Sequence, residues 1–242
     1  MAKIATKTLF TIGLLAMLMA VPAFGATVNK SVKIEPGAES GGATSVNGSI
    51  SVGADAVVTG NIKTVNGSIR VDEGATIEKA STVNGGVRIA DKVKSESLAT
   101  VNGTIKVGAN ASVDGEISAV NGRITIADGG SVADDVSNVN GQMEFEHAEI
   151  GGNVETVNGD IDLKNGSVIK GDLVVEENSG WGWGKSKSRK PRIVIGPGSK
   201  VEGKLVLERE VELYISDTAE VGGVEGKMSI DDAVRFSGDR PN

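Results

Sequence analysis

The sequence predicts an all-β chain: a single-stranded parallel β-solenoid, three-faced, with about ten coils, each spanning roughly 18–19 positions. Three observations lead there. Val-Asn-Gly recurs at Val46, Val65, Val83, Val101, Val120, Val139 and Val157, in successive steps of 19, 18, 18, 19, 19 and 18. Apolar and polar residues alternate between the copies, which is the period of a strand with one face in and one out. Aromatics make up only 3% of the 242 residues, Cys is absent and Gly numbers 34, so a core must come from small branched side chains, which favour strands.

Residues 1–25 have the form of a secretory leader. Lys3 and Lys7 give the positive start, Leu9 to Val21 the apolar centre, and Pro22-Ala23-Phe24-Gly25 places small residues for a cut before Ala26. The apolar run is short for a spanning helix, and no later segment is apolar enough to span as one. Loss of Lys3 and Lys7 with the leader leaves 23 basic against 32 acidic residues, a net charge of −9. A field of that sign argues against nucleic acid as a partner.

The solenoid is expected over 26–225. A degenerate copy, Val28-Asn29-Lys30, stands one period before the first Val-Asn-Gly. In the copy starting at Val101 the apolar set is Val101, Ile105, Val107, Ala111, Val113, Ile117 and Ala119, and Gly103, Gly108 and Gly115 divide it into short pieces. An antiparallel meander with Asn-Gly hairpin turns would want a shorter unit, whereas the observed period divides into three strand-plus-corner units of about six. Asn-Gly also tolerates a left-handed corner.

Stacked coils place equivalent residues in columns. Asn47, Asn66, Asn84, Asn102, Asn121, Asn140 and Asn158 would form an amide ladder with a structural role. The position before each Val gives Ser45, Thr64, Thr82, Thr100 and Thr156, interrupted by Ala119 and Asn138. An outward hydroxyl array of this kind would suit ice or sugar. A further outward column reads Lys33, Ser51, Arg70, Arg88, Lys106, Thr125, Glu144 and Asp162, basic early and acidic late. It is either a solvated ridge or a docking stripe.

The rhythm breaks at Glu176 and resumes at Ile193. The intervening loop 176–192 carries Trp181, Trp183, Lys185, Lys187, Arg189, Lys190 and Arg192, and insertions of this kind often hold a solenoid's binding face. These seven are the candidate ligand-binding residues, with an envelope polysaccharide or an anionic surface as partner; the alternative is a loop whose tryptophans fold back on the rod. Residues 226–242 form a polar tail suited to cap the last coil.

No catalytic constellation stands out. His147 is the single histidine, between Glu146 and Glu149, and reads as an exposed side chain rather than a base. With no Cys and no second His, neither a metal site nor a cofactor is expected.

The repeated Thr-Val-Asn-Gly-x-Ile-x-Val resembles the strand repeats of adhesin-type proteins secreted by bacteria. Val113-Asp114-Gly115-Glu116-Ile117 and Val201-Glu202-Gly203-Lys204-Leu205 are similar to the rhythm of bactofilins, polymer-forming proteins with a right-handed triangular β-helix. The resemblance implies a right-handed coil and brings no catalytic residues. The bactofilins are cytoplasmic, and the leader departs from that pattern. The expectation is therefore a non-enzymatic structural or adhesive protein exported to the periplasm or surface of a bacterium, with a carbohydrate- or envelope-ligand-binding module acting through the loop as the alternative. A homodimer through the uncapped N-terminal edge, promoted by salt, is also expected.

Overall fold

The computed structural model describes residues 28–178 and 189–241. Its strands stack in parallel throughout, and between the two ends of the rod each pairs with the equivalent strand one coil earlier and one coil later. The first face has 11 strands, beginning Val32–Ile34, Ile50–Val52, Ile69–Val71 and ending Glu212–Ser216, Val234–Phe236. The second face holds the shortest strands, such as Ser112–Val113 and Ser131–Val132, and the third holds Ile117–Asn121 and its equivalents. Thr76–Asn84 and Lys94–Asn102 run unbroken from the second face into the third. Rungs spaced at ~4.8 Å make the rod on the order of 50 Å long.

The core is aliphatic and continuous. On the first face Ile50, Ile69, Val87, Ile105, Ile124, Met143, Ile161, Ile193 and Leu213 are register partners down the rod, and each is essentially removed from solvent. Each such side chain contributes roughly 1.5–3 kcal/mol. Phe145 is the one fully buried aromatic among the described residues, so sparse aromatics and a narrow bore go together.

The apolar set read from the sequence holds with one exception. Ile105, Val107, Ala111, Val113, Ile117 and Ala119 point inward, but Val101 is half-exposed and its neighbour Thr100 is fully buried. The alternation changes phase at each Asn-Gly corner, so the valine of Val-Asn-Gly lies outside. The hydroxyl ladder is therefore internal. Ser45 donates to Lys30 O at 2.9 Å, Thr64 to Gly48 O at 2.8 Å, Thr82 to Gly67 O and Thr100 to Gly85 O at 2.9 Å each. Asn138 substitutes an amide N–H to Gly122 O at 2.8 Å. A surface array for ice or sugar is excluded for this column.

Left-handed residues occur mainly at one corner, and among the Val-Asn-Gly copies only Gly141 has a positive φ. Asp55, Gly74, Lys92, Asn110, Gly129 and His147 have φ between 43° and 73° and turn the chain from the first face to the second. At the Asn-Gly corner glycine answers a different demand. A Cβ on Gly67, Gly85, Gly103 or Gly122 would lie closer than 3.0 Å to the carbonyl oxygen of the glycine one coil below.

The tail does more than trail from the last coil. Val234–Phe236 adds the eleventh strand of the first face, pairing Ser216 with Phe236, and Met228 and Ala233 pack against the core. No helix among the described residues is long and apolar enough to cross a membrane.

Candidate functional site

The loop opens at the Asn-Gly corner itself. Asn178 occupies the rung after Asn158 and its amide reaches Asn158 Oδ1 at 3.5 Å. The insertion leaves where glycine would follow, and the first face resumes with Ile193 stacked on Ile161. Trp181, Trp183, Lys185 and Lys187 lie outside the described residues.

The other three candidate cations are bound to the rod. Arg189 makes a two-pronged contact to Asp160 at 2.6 and 2.8 Å, and the Arg192 backbone N–H donates to Asp160 Oδ1 at 2.8 Å. Lys190 pairs with Glu210 at 2.8 Å, a bond that also lowers the Glu210 carboxyl below its ordinary range. The Arg192 guanidinium lies over the Tyr214 ring, 4.8 Å from its centroid, a cation–π arrangement. On the entry side Glu177 pairs with Lys227 at 2.9 Å. These residues fasten the roots of the loop. Run-length alone could not separate them from Lys185 and Lys187, because their acids are a coil or more away in sequence and become neighbours only after coiling.

Arg209 is the residue the sequence reading missed. It stands two coils beyond Asn158, yet Nη1 donates to Asn158 Oδ1 at 2.8 Å and to Val157 O at 3.1 Å, and Nη2 reaches Arg189 O at 3.4 Å. One guanidinium thus spans the coil below the insertion and the loop's exit. An arginine at a position where earlier coils carry Asn-Gly was the available signal.

The asparagines form an outward amide ladder. Nδ2 of each donates to Oδ1 of the one before: Asn47 to Asn29 at 2.7 Å, Asn66 to Asn47 at 2.8 Å, Asn84 to Asn66 at 2.9 Å, Asn102 to Asn84 at 3.0 Å. Asn121, Asn140 and Asn158 continue it at 3.1, 2.9 and 3.0 Å. All the amide dipoles point one way, and the Arg209 cation closes the acceptor end at Asn158. From Asn47 to Asn140 each amide keeps one N–H and one lone pair for solvent or ligand.

The charged column also forms. Lys33, Ser51, Arg70, Arg88, Lys106, Thr125, Glu144 and Asp162 are register partners on the first face. At its acidic end Lys164 contacts both Glu144 and Asp162. Burial, opposed by Lys164, raises the Asp162 carboxyl above its usual range, and Glu144 adds to the rise. The fold therefore disfavours ionised Asp162. That penalty is present above the raised folded value and fades as pH falls toward and below the unfolded value of about 3.9. Asp162→Asn is expected to raise the melting temperature near neutral pH, with the gain vanishing in acid, in a pH series of thermal melts.

His147 is an exposed corner residue, with Nδ1 2.7 Å from Asp128 Oδ1. No cluster of three potential metal ligands occurs among the described residues. No protein-family model matches this chain, and comparison with curated proteins and with solved structures returns no relative.

Proposed function

We propose that this chain is a non-enzymatic structural or adhesive rod of the bacterial envelope, exported by its leader. The observation that carries the reading is the use of the repeat. The hydroxyl or amide before most of the valines, the Asn amide and the glycine backbone of Thr-Val-Asn-Gly serve coil-to-coil bonding, so the motif that dominates the sequence is spent on building a stiff rod. The resemblance of that motif to secreted adhesin-type repeats and to bactofilins agrees with a mechanical role. Fractionation of the native host with intact-mass measurement tests the compartment: a chain beginning near Ala26 in the periplasmic or surface fraction is expected, and full-length chain confined to the cytosol would overturn the reading.

A second reading, ligand binding by the insertion, is favoured by the fastening of both loop roots through Glu177, Arg189, Lys190 and Arg209. Trp181→Ala with Trp183→Ala should leave the melt unchanged while weakening pull-down onto envelope polysaccharide; equal pull-down removes this reading. End-to-end pairing is part of the proposal as well. Among the described residues Val32–Ile34 pairs only with Ile50–Val52, and a strand with a free side recruits another. Light scattering of the chain without residues 1–25 should show a dimer that grows with salt, as screening relieves the net charge of −9 that loss of Lys3 and Lys7 leaves.

A further inference from the structure

Among the described residues the cations without an ion-pair partner are concentrated before residue 124. From residue 124 onward every described lysine and arginine except Arg240 has a carboxylate, ring or carbonyl partner. Arg70, Arg88 and Lys106, by contrast, are exposed and stacked on three successive rungs of the first face. None lies within ion-pair distance of an acid among the described residues, and neither does Arg123, one rung on at the edge of the same face. Like charges stacked ~4.8 Å apart repel by on the order of 1 kcal/mol even at the dielectric of water, and a bound anion would relieve that cost.

The surroundings give the stripe a direction. Arg88, Lys106 and Thr125 line a shallow groove of about 430 Å³, kept open by Ala90, Gly108 and Ala127. The acids on its far wall are engaged: Glu73 pairs with Lys92 at 2.8 Å, and Asp91 Oδ1 accepts the Ala109 N–H at 2.8 Å. Across the opposite corner runs the amide ladder, with Asn84, Asn102 and Asn121 exposed. A file of cations and a file of amides thus run side by side, one of each per coil, along the rod.

We infer that the N-terminal half of the first face binds a linear anionic polysaccharide laid along the rod axis, its acidic groups on Arg70, Arg88, Lys106 and Arg123 and its hydroxyls on the asparagine ladder. Three features favour this occupant. The stripe is one cation wide, which fits a chain. An anionic lipid surface would also press on the acidic corner of Asp55, Asp72, Asp91 and Asp128. Single-stranded nucleic acid takes much of its affinity from aromatic stacking, and this half of the face has no aromatic side chain. The site rests on the rod and not on the compartment, so it stands or falls separately from the export reading.

The test is fluorescence anisotropy of purified mature protein with labelled polygalacturonate, alongside neutral dextran, phosphatidylglycerol vesicles and oligo(dT). Polygalacturonate should bind in a salt-sensitive manner and dextran should not. Arg70→Glu, Arg88→Glu and Lys106→Glu together should weaken binding by about tenfold or more, whereas Lys200→Glu, a charge change elsewhere, and the Trp181→Ala/Trp183→Ala pair should not. The three side chains are exposed, and an unchanged thermal melt would show that the fold persists; the salt dependence of the unaltered protein needs no variant. Binding indifferent to salt or to the triple change, or tighter binding to vesicles or oligo(dT), would overturn the inference.

Discussion

Gly103→Ala is expected to destabilise the rod by about 3 kcal/mol, the upper range for overpacking against an unyielding neighbour, and to split its unfolding into two transitions. The added methyl would meet the Gly85 carbonyl oxygen and carbon and the Gly86 nitrogen of the coil below, all backbone atoms held in hydrogen-bonded register, so no flexible side chain can yield. The Gly103 N–H also donates to Asn121 O of the coil above at 3.1 Å, which ties any shift to the next rung. Alanine stiffens the unfolded chain and so returns roughly 0.4–1 kcal/mol, less than the steric cost. Coils touch only their neighbours, so a damaged interface in mid-rod uncouples the halves. Gly41→Ala is the control: nothing lies within 4 Å of its added Cβ and its φ is not left-handed, so it should be neutral or slightly stabilising. Urea unfolding followed by circular dichroism reads both; equal midpoints for the two variants would remove the steric account of the Asn-Gly corner.

The fold was legible because the repeat is strict and its period is diagnostic. Ile105, Val107, Val113 and Ile117 are inward as their alternation requires, and the break between Glu176 and Ile193 lies at the corner between the strands Leu173–Val175 and Arg192–Ile195. Val101 was not legible. Alternation gives parity within a strand, but a corner of odd length inverts it, and only the closed coil shows that Thr100 points in. The asparagine column was readable as a ladder, whereas its outward side was not. For the site, sequence located the loop but could not show that Arg189, Lys190 and Arg192 are claimed by Asp160, Glu210 and Tyr214. The basic run at Arg70, Arg88 and Lys106 was visible as a column, while its lack of acidic partners needed the neighbouring corners in space.

Two substitutions in the internal hydroxyl ladder are expected to move stability in opposite directions. Thr100→Val keeps the shape and removes the donor to Gly85 O, leaving a part-buried carbonyl with a methyl against it. The expected cost is about 1 kcal/mol, the lower end of the range for an orphaned acceptor, because the carbonyl is only part-buried. One coil on, Ala119 occupies the equivalent place above Gly103, with the same step along the chain that separates Thr64 from Gly48 and Asn138 from Gly122. Ala119 is 3% exposed and has no hydroxyl to offer. Ala119→Thr should therefore restore the missing bond and stabilise the rod by about 1 kcal/mol, since threonine already fits this position in the coil below. Asn138→Thr should act in the same direction: it keeps a donor to Gly122 O and removes Asn138 Oδ1, a buried oxygen with no partner among the described residues. Chemical unfolding of the three variants against the parent decides the matter, and a destabilising Ala119→Thr would mean that the ladder is held by the width of the bore and not by its hydrogen bonds.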